Sequence, residues 1–415
     1  MSIGNSRSFL LRLVVKLVQR QMFPIASGLA VVLLTLGMAT SKLYGQTFSV
    51  LYTFKYGTDG GKTTGGLVQD SAGNLYGVAE VGGDLSCKYG TTGFLGCGVV
   101  FKVTPNGEET VLYSFRGGTD GAGPTASLIR DAAGGFYGTT YAGGNPDCSF
   151  GGGSGCGTIF RLDASGKETV LYRFHNGNDG AAPGGALYRD RSGNLWGTAQ
   201  FGGNTNCSIL TNCGTVFRLD SAGHFKSHPL VQSAEGSWPM GGLIADSLGN
   251  IFGTTQFNGP NGGGTVFRVD PTHGGLDVVH AFDIEVEGSG PTGLLFSDGK
   301  LWGPTAAAGP GDGGTVWSLN RRGIDILFSY FNSTDRSVFM NGVLARDPQG
   351  NLYGTAAFEG EQGTIYELAA DGTRSVLHYF EGADGQNPMS GLIRDSQGNL
   401  FGTTQVASTV FKLTP

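Results

Sequence analysis

The sequence predicts an all-β protein: a seven-bladed β-propeller of four-stranded antiparallel blades. Three observations predict it. An aromatic-glycine step recurs seven times, each step lies in a unit of four short strand-like runs, and the two ends of the repeat region are complementary parts of one unit. The glycines are spaced by 61, 59, 56, 50, 51 and 48 residues, at Gly77, Gly138, Gly197, Gly253, Gly303, Gly354 and Gly402.

Each unit contains four runs of four to seven residues, which in the second unit are residues 127–131, 136–140, 157–162 and 170–174. The runs are rich in β-branched and aromatic residues and are bounded by Gly, Asp and Asn, as is typical of strands. An Asp-x-x-Gly-Asn turn joins the first two runs, because Asp can accept the turn's own amides and Gly tolerates positive φ. The fifth unit is one residue shorter, and its Asp298-Gly299 fits a two-residue type I′ turn.

The ends of the repeat region predict that the ring closes. Residues 49–54 form a fourth run with no preceding third run, and residues 408–413 form a third run with no following fourth run. We therefore expect strand 49–54 to be the outer strand of the blade built from residues 391–413, which removes a free sheet edge. An open solenoid is the alternative. Residues 46–415 are predicted to be a single propeller domain.

Residues 1–45 have a different character, which predicts a secretory signal peptide. Four basic residues precede an apolar stretch from about residue 23 to residue 38, followed by small and polar residues. The apolar stretch is short for a membrane span. An uncleaved N-terminal anchor is the alternative, and it would be the protein's one attachment to a membrane.

The six cysteines indicate the same oxidising destination. They fall as three local pairs between the second and third runs of units one to three: Cys87 and Cys97, Cys148 and Cys156, Cys207 and Cys213. Disulfides within each pair are the economical choice and fit export. Metal binding is the rival, but no pair has the two-residue gap of a zinc knuckle and no histidine recurs beside them. We predict no metal site.

Charge and motifs exclude several functional classes. The first 45 residues hold five of the 27 basic residues and no acidic one, so the remaining 22 basic and 33 acidic residues carry a net charge of −11. That balance argues against a nucleic-acid partner. No nucleophile elbow, phosphate-binding loop or zinc-protease motif is present, and no cofactor is predicted. His280 and His378 stand in the fourth run where other units have tyrosine, and the other histidines are expected to be isolated.

Acidic residues recur in the loop before each first run, where they are expected to ring one face near the channel mouth. They could form a site for a cation or polyol, or they could cap a turn once per blade, as periodicity favours. The seven positions are Asp59, Asp120, Asp179, Glu235, Glu287, Asp335 and Asp384.

The same face should carry the cysteine loops, and its aromatic residues are the candidate ligand-binding residues. Four follow the second run, and Trp238 replaces a small residue before Pro239. Packing beneath the loops is the alternative role for each. The candidates are Tyr141, Phe201, Phe257, Phe358 and Trp238.

The repeated strings also resemble a known family. Gly138-Thr139-Thr140, then Gly214-Thr215-Val216-Phe217, then the string at residues 111–115, closely resemble the GloVer tandem-repeat proteins of bacteria, also called choice-of-anchor repeat proteins. The resemblance covers essentially everything after residue 48. It implies an exported surface or extracellular protein, and it carries over no catalytic residue.

Together these features predict an exported protein, extracellular, periplasmic or at the cell surface, that binds a ligand or partner without catalysing a reaction. A carbohydrate or another surface protein is the expected partner, and a monomer is the expected state. The alternative is an extracytoplasmic polysaccharide hydrolase or lyase that uses acids at the channel mouth.

Overall fold

The structure is a computed structural model that describes residues 46–88, 95–150, 153–204, 207, 213–270, 275–310, 312–320, 323–332, 342–359 and 362–414. The predicted signal segment, residues 1–45, and Asp335 lie outside the described residues. No helix among the described residues is long and apolar enough to cross a membrane.

Seven antiparallel sheets form a ring, which confirms the predicted seven-bladed propeller. The first strands are Val68–Gln69, Ile129–Arg130, Tyr188–Arg189, Ile244–Ala245, Leu295–Ser297, Ala345–Arg346 and Ile393–Arg394. The second strands are Leu75–Ala79, Phe136–Thr140, Leu195–Ala199, Ile251–Thr255, Lys300–Ala307, Leu352–Ala356 and Leu400–Thr403. The third strands are Val99–Val103, Thr158–Leu162, Thr215–Leu219, Gly262–Val269, Asp312–Asn320, Thr364–Leu368 and Thr409–Thr414. The fourth strands are Glu109–Ser114, Glu168–Arg173, Phe225–Pro229, Leu276–Asp283, Gly323–Asn332, Arg374–Tyr379 and, in blade seven, Thr47–Thr53.

Three short elements depart from this plan. Ser289–Pro291 adds a fifth strand to blade five, and Ser149–Phe150 pairs with Gly153–Ser154 in the cysteine loop of blade two. Gln232–Glu235 forms one helical turn in the loop before blade four. A single turn is too short to produce a helical period in the sequence.

The ring closes as the sequence predicts. Thr47–Thr53 pairs antiparallel with Thr409–Thr414, with Thr53 opposite Thr409 and a bulge between Val50 and Tyr52. Beyond the strand, the Phe54 amide donates to the Ser408 carbonyl at 2.9 Å. The closing strand therefore covers the edge of the third strand of blade seven, and each blade has a neighbour on both sides.

The core of the ring is a set of aromatic side chains at one position of the third strand. All seven are at most 1% exposed: Phe101, Phe160, Phe217, Phe267, Trp317, Tyr366 and Phe411. Most meet a phenylalanine that follows the fourth strand of the preceding blade. Five such pairs are tilted or edge-on with centroids 4.8–5.4 Å apart, namely Phe54–Phe101, Phe115–Phe160, Phe174–Phe217, Phe282–Trp317 and Phe380–Phe411.

This packing explains the glycine of the aromatic-glycine step. A Cβ atom on Gly138 would lie 2.7 Å from Cζ of Phe160 and 2.9 Å from Leu128. Real side chains do not approach so closely, so the glycine makes room for the edge of the third-strand ring.

Threonine side chains also connect neighbouring blades. A second-strand hydroxyl donates to a carbonyl at the start of the next blade at 3.0–3.4 Å in four places, from Thr198 to Gly241, Thr254 to Thr292, Thr355 to Ser390 and Thr403 to Gly65. The last of these bonds crosses the closing junction from blade seven to blade one.

The turns between first and second strands form one face of the ring, here called the turn face. Asp70 accepts the amides of Ala72 and Asn74, both at 2.9 Å, as the Asp-x-x-Gly-Asn pattern predicts. In blade five Ser297 pairs with Lys300, and Asp298 and Gly299 both have positive φ. The opposite face carries the cysteine loops and the acidic loops, and is called the loop face.

We predict that Gly138→Ala lowers the free energy of unfolding by about 1–3 kcal/mol, because the new methyl group overpacks against Phe160. Urea denaturation measures the change. Gly118→Ala is the matched control, because nothing lies within 4 Å of a Cβ atom there. Equal stability of the two variants would contradict this explanation of the repeated glycine.

Candidate functional site

The cysteine loops of blades one to three are held by the three predicted disulfides. Cys87–Cys97, Cys148–Cys156 and Cys207–Cys213 are bonded, with Cα atoms 5.7, 5.7 and 5.5 Å apart. The second cysteine of each pair is fully buried at the base of its loop. Local pairing is thus confirmed, and the longest loops of the loop face are anchored to their own blades.

The acidic residues before the first strands lie against the fourth strands. The Asp179 carboxylate accepts the Tyr172 hydroxyl at 3.1 Å and the His175 amide at 2.9 Å. Asp59 and Asp120 repeat this arrangement with Tyr52 and Tyr113, both at 2.9 Å. Burial, together with these carboxylates, raises the pKa of all three tyrosines.

Histidine replaces the tyrosine in three other blades. His280 Nε2 lies 2.8 Å from Glu287, and His378 Nε2 lies 2.8 Å from Asp384. His228, predicted to be isolated, lies 3.0 Å from Glu235 in the same way. That prediction was wrong because the fourth strand of blade three ends in Pro229 and lacks the aromatic pattern of the other copies.

The six described acids therefore do not line the channel mouth, where they were predicted to lie. Each bonds a side chain of the outermost strand, and each also accepts an amide of its own loop, such as Val231 for Glu235 and Glu381 for Asp384. The spacing in the sequence places the acid in the loop but does not show which strand it turns toward.

Two glutamates at the start of fourth strands border these acids. Glu109 lies near Asp59, and Glu168 lies near Asp120, each across a junction between blades. One carboxylate oxygen of each glutamate is buried without a hydrogen-bond partner among the described residues. Burial, and secondarily the neighbouring aspartate, raises the pKa of both Glu109 and Glu168 to about 7.

Two other junctions place an aromatic ring at the same position. Phe225 stacks on Tyr172 with centroids 3.8 Å apart, and Phe48 stacks on His378 with centroids 3.7 Å apart. Two outer junctions are thus filled by aromatic stacking, and two others by half-buried carboxyl groups.

Three of the predicted aromatic residues form one cluster on the loop face. Trp238 lies edge-on between Phe201, with centroids 5.5 Å apart, and Phe257, with centroids 5.4 Å apart. Phe257 is 45% exposed, whereas Trp238 and Phe201 are half-buried. The cluster spans the junction of blades three and four.

Trp238 has an unusual backbone. Its φ is +58°, in the left-handed region that bulky residues seldom adopt. Its amide donates to the Cys213 carbonyl at 3.1 Å, and its carbonyl accepts the Gln256 amide at 3.2 Å. Other blades make the same two bonds through Gly123 and Ala182, so the backbone conformation belongs to the repeat and the indole ring belongs to this blade.

A shallow depression opens beside the cluster. It has a volume of about 490 Å³ and is lined by residues that include Asn204, Val231, Gln232 and Asn258. Asn258 follows Phe257 and donates to the Ser237 hydroxyl at 2.6 Å. The depression therefore reaches the residue that follows Phe257, and its walls combine amide side chains with Val231.

The other two candidates, Tyr141 and Phe358, do not belong to the cluster. Tyr141 stands one position earlier after the second strand than the phenylalanines, and its hydroxyl bonds Gln200 at 3.3 Å. Burial, and then the charge of Glu80, raises the pKa of Tyr141 to about 12. Phe358 is 36% exposed on blade six, beyond blade five from the cluster.

Metal binding has no visible basis in the part of the chain that the structure describes. No group of three or more His, Cys, Asp or Glu side chains is placed there to hold an ion.

A match to a repeat profile shows which family the chain belongs to. The profile of the Gloeobacter/Verrucomicrobia repeat matches residues 39–210, 89–296 and 292–415. The chain belongs to this repeat family. The match confirms the resemblance to GloVer proteins. No curated protein sequence is a detectable relative of the chain.

Solved structures show that the Gloeobacter/Verrucomicrobia repeat has a familiar fold. The chain is similar to the extracellular domains of BT4673 and BT3049 from B. thetaiotaomicron, both named as hybrid two-component systems, with TM-scores of 0.56 and 0.54 and identities of 12% and 15%. The two matches cover 88% and 89% of this chain but only 39% and 41% of the two Bacteroides chains. A protein named as a 6-phosphogluconolactonase, BF1038 from Bacteroides fragilis, has a TM-score of 0.50 at 17% identity, over 77% of this chain and 86% of that one. At such identities the likeness shows the fold alone.

We predict that stability falls as pH rises through the range in which Glu109 and Glu168 ionise. Their pKa is raised from an ordinary value of 4.5 to about 7 in the folded protein. Between these values the folded state binds more protons than the unfolded state, so the free energy of unfolding decreases as pH increases.

The double variant Glu109→Gln/Glu168→Gln should match the wild-type melting temperature near about pH 4, below the ordinary glutamate pKa, and exceed it near about pH 8, because glutamine keeps the neutral state. Glu108→Gln, at an exposed neighbouring position, is the control. Parallel melting curves for wild type and double variant across this range would show that these carboxyl groups are not the cause.

Proposed function

We propose that the protein is an exported bacterial propeller that acts without catalysis and binds a ligand on its loop face. The ligand site is centred on Phe201, Trp238 and Phe257. The observation that carries the proposal is the indole of Trp238, held in a left-handed backbone position between two other aromatic rings.

The indole, and not the backbone conformation, is specific to this blade, because Lys62, Ala182 and Asn387 have the same left-handed backbone at the equivalent position. At the equivalent position blades two and five have Gly123 and Gly290, which adopt positive φ without cost. Packing alone does not require an indole there, because the other blades make the same backbone bonds without one. We therefore assign the indole a role in ligand binding together with Phe257, which contacts it and is 45% exposed.

A carbohydrate is the ligand class that suits this surface best. Aromatic faces pack against the apolar faces of sugar rings, and amide side chains such as Gln232 and Asn258 can bond hydroxyl groups. Another surface protein is the second ligand class that a binding screen would test. The net charge of −11 after residue 45 does not favour a polyanion.

Export is supported by two observations. Three disulfides persist only where the surroundings are oxidising. The similar propellers of BT4673 and BT3049 are extracellular domains. Residues 1–45 supply the predicted route, as a cleaved signal or a retained anchor.

The hydrolase or lyase alternative receives less support. It relied on acids at the channel mouth, whereas the six described acids bond the fourth strands and cap their own loops. These bonds support a structural role for them.

A glycan and polysaccharide binding screen tests the proposal, followed by variants of the cluster. Trp238→Gly should weaken binding at least about tenfold, because it removes the ring contact, which corresponds to about 1.4 kcal/mol. Its melting temperature should change little, since glycine relieves the left-handed strain and offsets part of the lost packing. Phe257→Ala should weaken binding in the same direction, because that ring is the most exposed of the three.

Phe358→Ala is the matched control. Phe358 occupies the same repeat position as Phe201 and Phe257 but lies on blade six, so its removal should leave binding unchanged. A loss of about 3–5 kcal/mol of stability in Trp238→Gly would instead identify the indole as core. If the protein binds no glycan or polysaccharide in the screen, carbohydrate is excluded as the ligand class.

A further inference from the structure

A second cavity lies on the turn face, between blades four and five. Its volume is about 490 Å³, and its walls include Phe252, Phe296, Leu248, Val279, Asp246 and Arg268. Leu248 is 68% exposed and Val279 is 39% exposed. This cavity is distinct from the aromatic cluster, because the turns and the loops emerge on opposite faces.

In four other blades a cation covers the aromatic ring of the aromatic-glycine step on the turn face. Arg161 and Arg189 lie 5.7 and 5.8 Å from the centroid of Tyr137. Three further rings are covered at 5.3–5.9 Å, with Arg218 over Trp196, Arg346 over Trp302 and Lys412 over Phe401. Such contacts are favourable because the ring face carries partial negative charge.

The equivalent ring of blade four is Phe252. Of the two positions that supply a cation in other blades, one holds an arginine that bonds elsewhere and the other holds an uncharged residue. Arg268, at the position of Arg161 and Arg218, instead bonds Asp277 at 2.6 Å. Phe296 stands where blade three has Arg189 and blade six has Arg346. Among the described residues, no cation therefore lies over Phe252, and the cavity occupies the place that a guanidinium fills elsewhere.

We propose that this cavity binds a small organic cation, a guanidinium group on a short apolar stem. The guanidinium would lie over Phe252 and Phe296 as arginine does over the corresponding rings of other blades. The carboxylate of Asp246 in the wall supplies the opposite charge, and Leu248 and Val279 contact the stem. A volume of about 490 Å³ lies within the range of small-ligand sites.

The turn that begins at Asp246 forms this wall of the cavity and holds the carboxylate in place. Asp246 accepts the amides of Leu248 and Asn250 at 2.9 Å and the Asn250 side chain at 2.7 Å. These bonds fix the carboxylate beside the ring. The same turn presents Leu248, where the equivalent turn of blade seven has the polar Gln397.

Ligand-observed NMR on the purified full chain tests the proposal with n-butylguanidinium and its neutral isostere n-butylurea. We expect saturable binding of n-butylguanidinium and binding at least about tenfold weaker for n-butylurea, because the cation–ring contact and the carboxylate act only on the charged group. Equal binding of the two probes, or no saturable binding of the cation, would overturn the proposal.

Two variants locate the binding. Phe296→Arg places the cation of the other blades in the cavity, so it should abolish binding of n-butylguanidinium while the melting temperature is retained. Leu248→Ser should weaken binding by removing contact with the stem, whereas the matched Gln397→Ser should not. Unchanged binding in both Phe296→Arg and Leu248→Ser would place the probe elsewhere and refute the site. Leu248 is largely exposed, so its variant remains informative if Phe296→Arg fails to fold.

Discussion

The contact on which the propeller depends is the packing of aromatic rings between neighbouring blades. At five junctions a phenylalanine at the end of the fourth strand meets the buried ring of the next blade's third strand, as in Phe115 with Phe160. The contact needs a glycine behind the ring, because a Cβ atom on Gly138 would overlap Phe160. It also needs a closed ring, since only closure gives every blade a neighbour. The closing strand Thr47–Thr53 matters for this reason: it delivers Phe54 to Phe101.

Once repeated residues satisfy this contact, positions on the two faces of the ring are free to differ between blades. On the loop face the repeat requires a left-handed backbone but no particular side chain, so one blade can carry Trp238 where another has Gly123. On the turn face four blades pair the ring with a cation, and blade four lacks the pair because Phe296 stands at the position of an arginine and Arg268 bonds Asp277. Both candidate sites lie where a blade keeps the architecture and changes the chemistry.

The architecture could be predicted from the sequence because each element is encoded seven times. The turn at Asp70, the hairpin at Asp298-Gly299, the closing strand and the three disulfides all follow from local patterns. The sites could be predicted only as scattered candidates. The contact of Phe201 with Trp238 crosses a junction between blades, and a sequence does not show which side chains face each other there. The acids were placed in the correct loops but at the wrong depth, because Asp179 turns outward to Tyr172.

The outer junctions show how the ring tolerates polar residues that its core would not. The buried third-strand position is aromatic in all seven blades, whereas the start of the fourth strand is Phe48, Phe225 or Glu109. A half-buried carboxyl group can stay neutral when its pKa rises, so its burial costs less than that of a charge. Glu109 lies beside Tyr52 of the closing strand, and the two interact through the same outer junction. Ionisation of Glu109 therefore places charge beside the strand that closes the propeller, and ionisation of Glu168 does the same at the junction of blades one and two.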